Sequence, residues 1–187
     1  MKATFDWKKF YRGLGIKCNL SKVVIPDDPG GLERAIIMAQ GVGPQGAYDK
    51  CQGLFACSKW TDKNLDEMVI SDRNARGGPY AIRVCDLLEA EEELKNMSAN
   101  DIKNEKIITE TLEERLIHEL KFFKETNEHL DRGITHITLC AGSRIVDNST
   151  IAGVPSVFWD ENYDRLRVSW VYLNGVGLNL RARRVAS

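Results

Sequence analysis

Residues 111–130 constrain this chain more than any other segment. Thr111 and Glu114 stand three residues apart, the spacing of a capping box in which each side chain satisfies the other's free backbone N–H. Glu113 adds negative charge where a helix dipole is positive. Leu112, Leu116, Leu120, Phe123 and Leu130 then recur on one face, and Gly133 offers a stop. The sequence therefore predicts one amphipathic helix over 111–130, and the rest of the fold has to cover its apolar stripe.

Strand-like segments lie on both sides of it. Residues 34–40 read as a buried strand, 68–70 and 80–85 as two more, and 134–140 as an alternating strand with Ile137 and Leu139 on one face. Residues 154–159 and 165–173 read as a β-hairpin around the loop 160–164, with Val157 and Trp159 sharing a face. Helices are expected at 44–56, behind Pro44, at 86–95 by propensity, and at 99–104 behind a Ser98/Asp101 cap. The expectation is a single α+β domain over 1–187, a mixed or antiparallel sheet with a C-terminal hairpin packed on two or three helices. Phe5, Trp7, Phe10, Tyr11 and Leu14 cluster at the start and suit a short amphipathic helix, ended by Gly13 and Gly15, or an N-terminal docking arm within residues 1–20.

Charge is unevenly spread although the net value is −1. Residues 1–85 carry 13 Lys/Arg against 9 Asp/Glu, 86–131 carry 6 against 14, and 132–187 carry 7 against 4. The acidic middle is suited to a basic partner or to a solvated helical face, and the chain as a whole lacks the basic footprint of a nucleic-acid binder. No run approaches the ~20 apolar residues of a membrane helix, and the first residues lack a signal-peptide core, so a cytoplasmic protein with no membrane contact is expected. Cys18, Cys51, Cys57, Cys85 and Cys140 are odd in number and scattered, which argues for reduced, mostly buried thiols over disulfides or zinc. No cofactor or metal is expected.

The runs DRNARGGPYAIRVCDLLEAEEELKNMSAND, TLEERLIHELKFFKETNEHLD and ITLCAGSR together resemble a family of uncharacterised proteins from uncultured-bacterium genomes, over roughly residues 22–172. The resemblance implies a bacterial or mobile-element cytoplasmic protein. It brings no activity with it, so no residue role follows from it.

Several motifs carry potential chemistry. Gly41-Val-Gly43-Pro-Gln-Gly46 has the G-x-G-x-x-G spacing between an expected strand and helix, the setting of a phosphate cradle, although Pro44 removes one of its N–H donors. His136-Ile-Thr138 resembles one half of the paired H-x-T motifs of some phosphoesterases. Glu114 and His118 lie one helical turn apart and read as a surface pair. Cys140-Ala-Gly-Ser143-Arg144 closes a strand with a thiol, a flexible glycine and a cation. Asp72-Arg73-Asn74 with Arg76 precedes Gly77-Gly78, and guanidinium forks suit phosphate or carboxylate. Arg181, Arg183 and Arg184 form a basic tail that reads as solubilising or as part of a basic patch.

No complete catalytic set appears, so the sequence points first to macromolecular binding, with a protein as partner and little support for nucleic acid. The competing expectation is a hydrolase or phosphoesterase. Its binding residues would be Asp72, Arg73, Asn74, Arg76, Ser143 and Arg144, with His136 and Cys140 as catalytic candidates. A third is a nucleotide site at Gly41–Gly46.

Overall fold

The computed structural model describes residues 2–187, with side chains from Asp6 onward. In chain order the elements are α1 (Lys2–Gly13), β1 (Arg34–Met38), α2 (Pro44–Gln52), β2 (Cys57–Lys59), α3 (Leu65–Met68), β3 (Val69–Ser71), β4 (Tyr80–Val84), α4 (Ala99–Asn104), α5 (Leu112–Thr126), β5 (Ile137–Leu139), β6 (Ser143–Asp147), β7 (Thr150–Asp160), β8 (Arg165–Val171), β9 (Leu180–Arg181) and β10 (Val185–Ala186). The fold is α+β, as the sequence predicts. A small antiparallel sheet runs β1-β4-β10. A larger mixed sheet runs β2-β8-β7-β5-β9, with β6 joined to β7 and β3 to β6. Its β7–β8 pair is the expected hairpin, in register from Val154↔Val171 to Asp160↔Arg165.

Helix α5 touches β1 of the small sheet and β7 of the large one, with α2 along its side. Leu112, Leu116, Ile117 and Leu120 are closed to solvent there. Both halves of the capping box form, with Thr111 Oγ1 accepting from Glu114 N–H and Glu114 Oε2 accepting from Thr111 N–H at 2.8 Å. The helix ends at Thr126, short of 130. Asn127 takes a left-handed conformation (φ 60°) and its N–H bonds Phe123 O, a cap asparagine tolerates without glycine.

Two other expectations are corrected. Residues 86–95 form no α-helix and are irregular apart from one 3-10 turn at Glu92–Leu94. The carbonyls of Leu87 and Leu88, which a helix would bond to its own N–H groups, instead accept from Arg183 Nη1 and Nη2 at 3.0 and 2.9 Å. A tertiary contact has overridden propensity. The N-terminal aromatic group takes the helical alternative, as α1, and is no free arm. Trp7, Tyr11 and Leu14 are buried in the main core, and the Tyr11 hydroxyl donates to Ile37 O (2.6 Å) while accepting from Ala39 N–H (3.1 Å). Phe5 lies outside the described side chains.

The uneven charge has an internal explanation. Asp131 is fully buried and accepts from Arg183 Nη2 at 2.8 Å, Arg115 Nη2 at 2.9 Å, Ala90 N–H and the Thr138 hydroxyl. Arg115 also donates to the buried Glu119, Arg181 reaches Glu92, and Arg184 N–H bonds Glu91. Thus the basic tail is threaded back through the acidic middle, and Arg181 and Arg183 are buried ion-pair partners. Burial raises the Asp131 carboxyl, but Arg183 and Arg115 outweigh it and hold the group at about 2. Among the described residues no helix is long and apolar enough to cross a membrane.

Candidate functional site

Pairing of β3 with β6 sets Ser71 opposite Ser143, at the mouth of a cleft beside the start of α5. The two hydroxyl oxygens are 2.8 Å apart. Ser143 Oγ accepts from Leu112 N–H (2.9 Å), and either hydroxyl can donate across the Ser71–Ser143 contact. When Glu113 is ionised, Ser71 gives its one proton to Glu113 Oε2 at 2.7 Å, which leaves Ser143 as the donor to Ser71. The result is a one-way hydrogen-bond chain that starts on the backbone of α5 and ends on a carboxyl in its first turn.

Glu113 and Ser71 line a cavity of about 310 Å³ together with Gly41, Val42, Gly43, Pro44, Asp66, Val69, Ile70, Asn74, Ala75 and Arg76. Two segments singled out in the sequence, the glycine loop at 41–44 and the polar loop at 72–76, therefore share this cleft. A backbone bond from Gly41 N–H to Ala75 O (3.0 Å) ties them. Asn74 Oδ1 accepts from Arg76 N–H at 3.1 Å, which shapes the second loop as an Asx turn. Glu113 is almost entirely buried, and that burial pushes its carboxyl up to about 7, against the lowering effect of the Ser71 hydrogen bond.

The helix N-termini around the cleft are closed by the chain itself. Asp66 Oδ1 accepts from Gln45 N–H (3.0 Å) at the start of α2, and a Cβ on Gly43 would meet that same oxygen at 2.7 Å. Gly43 is thus needed for the approach of Asp66, which sits where a phosphate would bind. Strand β1 belongs to an antiparallel sheet, not to a parallel βαβ unit, and Gly46 lies inside α2. The spacing of Gly41–Gly46 is therefore that of a strand-to-helix turn without the dinucleotide architecture.

The remaining candidates separate. Arg73 makes a bidentate pair with the buried Glu114 (Nε–Oε1 3.0 Å, Nη2–Oε2 2.7 Å) and also reaches Thr109 O. Tyr80 donates to Glu114 Oε1 at 2.8 Å, and burial with that carboxylate beside it pushes the phenol far up. Asp72, Arg73 and Arg144 line a second cavity of about 370 Å³ with Lys103, Lys106 and Gly142. Asp72 N–H bonds Gly142 O at 2.9 Å, so the 72–76 and 140–144 loops are neighbours. Arg144 donates to the carbonyls of Ala141 and Ser143. A Cβ on Gly142 would strike Thr109 O at 2.7 Å, so this glycine serves backbone packing.

Cys140 is fully buried and its thiol is pushed well up by that burial, so it offers no thiolate to a substrate. His136 pairs with Glu89 (2.8 Å), and neither it nor Cys140 lines a described cavity. Glu114 and His118 are buried, not a surface pair, and face different partners, Arg73 and Glu110. Among the described residues no group of three or more His, Cys, Asp or Glu is arranged to hold a metal.

Sequence reasoning gave Glu113 only a dipole role and overlooked Ser71. The one local signal was a hydroxyl at the point where an apolar strand runs into the polar loop 72–78. No family model, curated protein or solved structure matches the chain.

Proposed function

We propose that this chain is a small-molecule hydrolase acting by acyl transfer in the cleft over Glu113. The observation that carries the reading is the directed chain from Ser143 through Ser71 to the buried Glu113 carboxylate, which opens on a ligand-sized cavity. Glu113 takes the Ser71 proton while Ser71 Oγ bonds to the acyl carbon. The carboxyl then returns that proton to the leaving group, and water attacks the acyl-Ser71 ester to release the acid. A base titrating near neutrality is suited to this double role. Asn74 and Arg76, on the cavity wall, are the groups that would face an oxyanion.

Hydrolysis of small chromogenic esters tests the reading. Ser71→Ala and Glu113→Gln should each reduce turnover by about a hundredfold or more, in line with loss of a nucleophile or general base. Turnover unchanged in both variants, with the fold intact, would remove the cleft from the chemistry.

A second reading, a protein partner, keeps one specific observation. Ile134, Tyr172, Val176 and Leu178 are exposed apolar residues, three of them on the loop between β8 and β9. Trp7 and Tyr11 no longer argue for it, because both are packed into the core.

A further inference from the structure

A different cleft, on the edge of the large sheet, has the opposite electrostatic character. Strand β2 is an edge strand whose neighbour is β8, in parallel register with Ser58 opposite Arg167. Side chains alternate along a strand, so Arg165 and Arg167 leave the sheet on the face away from buried Leu166 and Val168. Lys59, Trp60, Tyr163, Arg165 and Arg167 line a cavity of about 380 Å³ there.

The cations are incompletely neutralised. Arg167 pairs with Asp160 at 3.1 Å, the one carboxylate in ion-pair range of the three among the described residues. Lys59, paired with Val168, sends its side chain to the other face, where its ammonium is held by the Lys63 carbonyl and Gln45 Oε1. The Arg165 guanidinium lies over the Tyr163 ring, 5.0 Å from its centre, and Tyr163 is 63% exposed. Positive charge beside an exposed aromatic ring is the chemistry that holds nucleotides, the charge taking phosphates and the ring taking a base. Successive same-face residues on a strand are about 6.6 Å apart, close to the separation of adjacent phosphates in an extended nucleic-acid strand. Because β2 has no strand beyond it, a polymer can pass along the edge.

We infer that this cleft binds two adjacent nucleotides of single-stranded nucleic acid, with Arg165 and Arg167 on successive phosphates and Tyr163 and Trp60 against the bases. The inference is independent of the hydrolase reading, since none of these residues lines the Glu113 cleft.

Fluorescence anisotropy with labelled oligothymidine and oligouridine, titrated with the whole protein, tests it. Two phosphate contacts at about −0.7 each predict a log–log salt slope of about −1.4, which Arg165→Gln should halve. Tyr163→Ala, a change at an exposed ring, should weaken binding about tenfold, within the range for loss of one base stack. Duplex DNA should bind more weakly than the single strand. No single-strand binding in low salt, binding indifferent to both variants, or a mononucleotide binding as tightly as the oligomer would each overturn the inference.

Discussion

Arg183 and Asp131 meet at 2.8 Å in the interior, both closed to solvent, and join the C-terminal segment to the turn that follows α5. The pair draws the acidic middle and the basic tail into one network with Arg115 and Glu119. Removing one partner leaves buried charge uncompensated. Asp131→Ala should therefore cost about 3–5 kcal/mol, read as a lower urea midpoint.

Acid should weaken the same network. Asp131 titrates at about 2 in the fold against an ordinary 3.8, so the unfolded chain binds the proton first as pH falls. Its contribution is complete above roughly pH 4 and lost as pH falls toward about 2. Melting temperature measured down this range should drop, and the drop should be smaller in Asp131→Asn, measured against its own value at neutral pH.

Glu113 has the opposite sign. Its carboxyl is raised from 4.5 to about 7, so the folded state holds the proton more tightly and stability falls as pH rises through that interval. Glu113→Gln keeps an oxygen for Ser71 and cannot ionise. It should flatten this part of the pH–stability curve and gain on the order of 1–3 kcal/mol over the native protein at pH 8. A functional carboxyl retained at a cost in stability is the pattern expected of an active site.

The Tyr11 hydroxyl bridges Ile37 O and Ala39 N–H inside the core. Tyr11→Phe leaves both backbone groups buried without that partner and should cost about 1–3 kcal/mol. A melting temperature unchanged by the substitution would restore the N-terminal segment to the role of a loose arm.

Thiol reactivity separates buried from accessible cysteines. Cys51 and Cys140 are buried, with thiols driven up chiefly by that burial, and Cys57 is raised to about 12. Alkylation of the native protein followed by peptide mapping should mark Cys18 and Cys85 first and leave Cys51 and Cys140 unmodified. Rapid labelling of Cys140 would reinstate it as a nucleophile.

How much of this was legible in sequence follows from the range of each interaction. The start of α5 was readable because Thr111, Glu114 and the leucine stripe act within a few residues. The irregular path of 86–95 was not, because the groups that hold it come from Arg183, about a hundred positions away. The loops at 41–46 and 72–76 were recognisable one by one, but their shared cleft depends on the tertiary bond from Gly41 to Ala75. Glu113 reads in sequence only as a complement to the helix dipole because its partner Ser71 comes from β3, and the Ser71–Ser143 contact spans 72 positions. Cys140 and His136 stood out for their chemistry, and the burial of one and the separate pairing of the other are also set at long range.

Activation of Ser71 by Glu113 is tested most directly by labelling with a fluorophosphonate, located by peptide mass mapping across pH. The predicted result is modification of Ser71, rising through pH 7 as Glu113 ionises and lost in Glu113→Gln. Modification at another residue, or none at any pH with the fold intact, would contradict it.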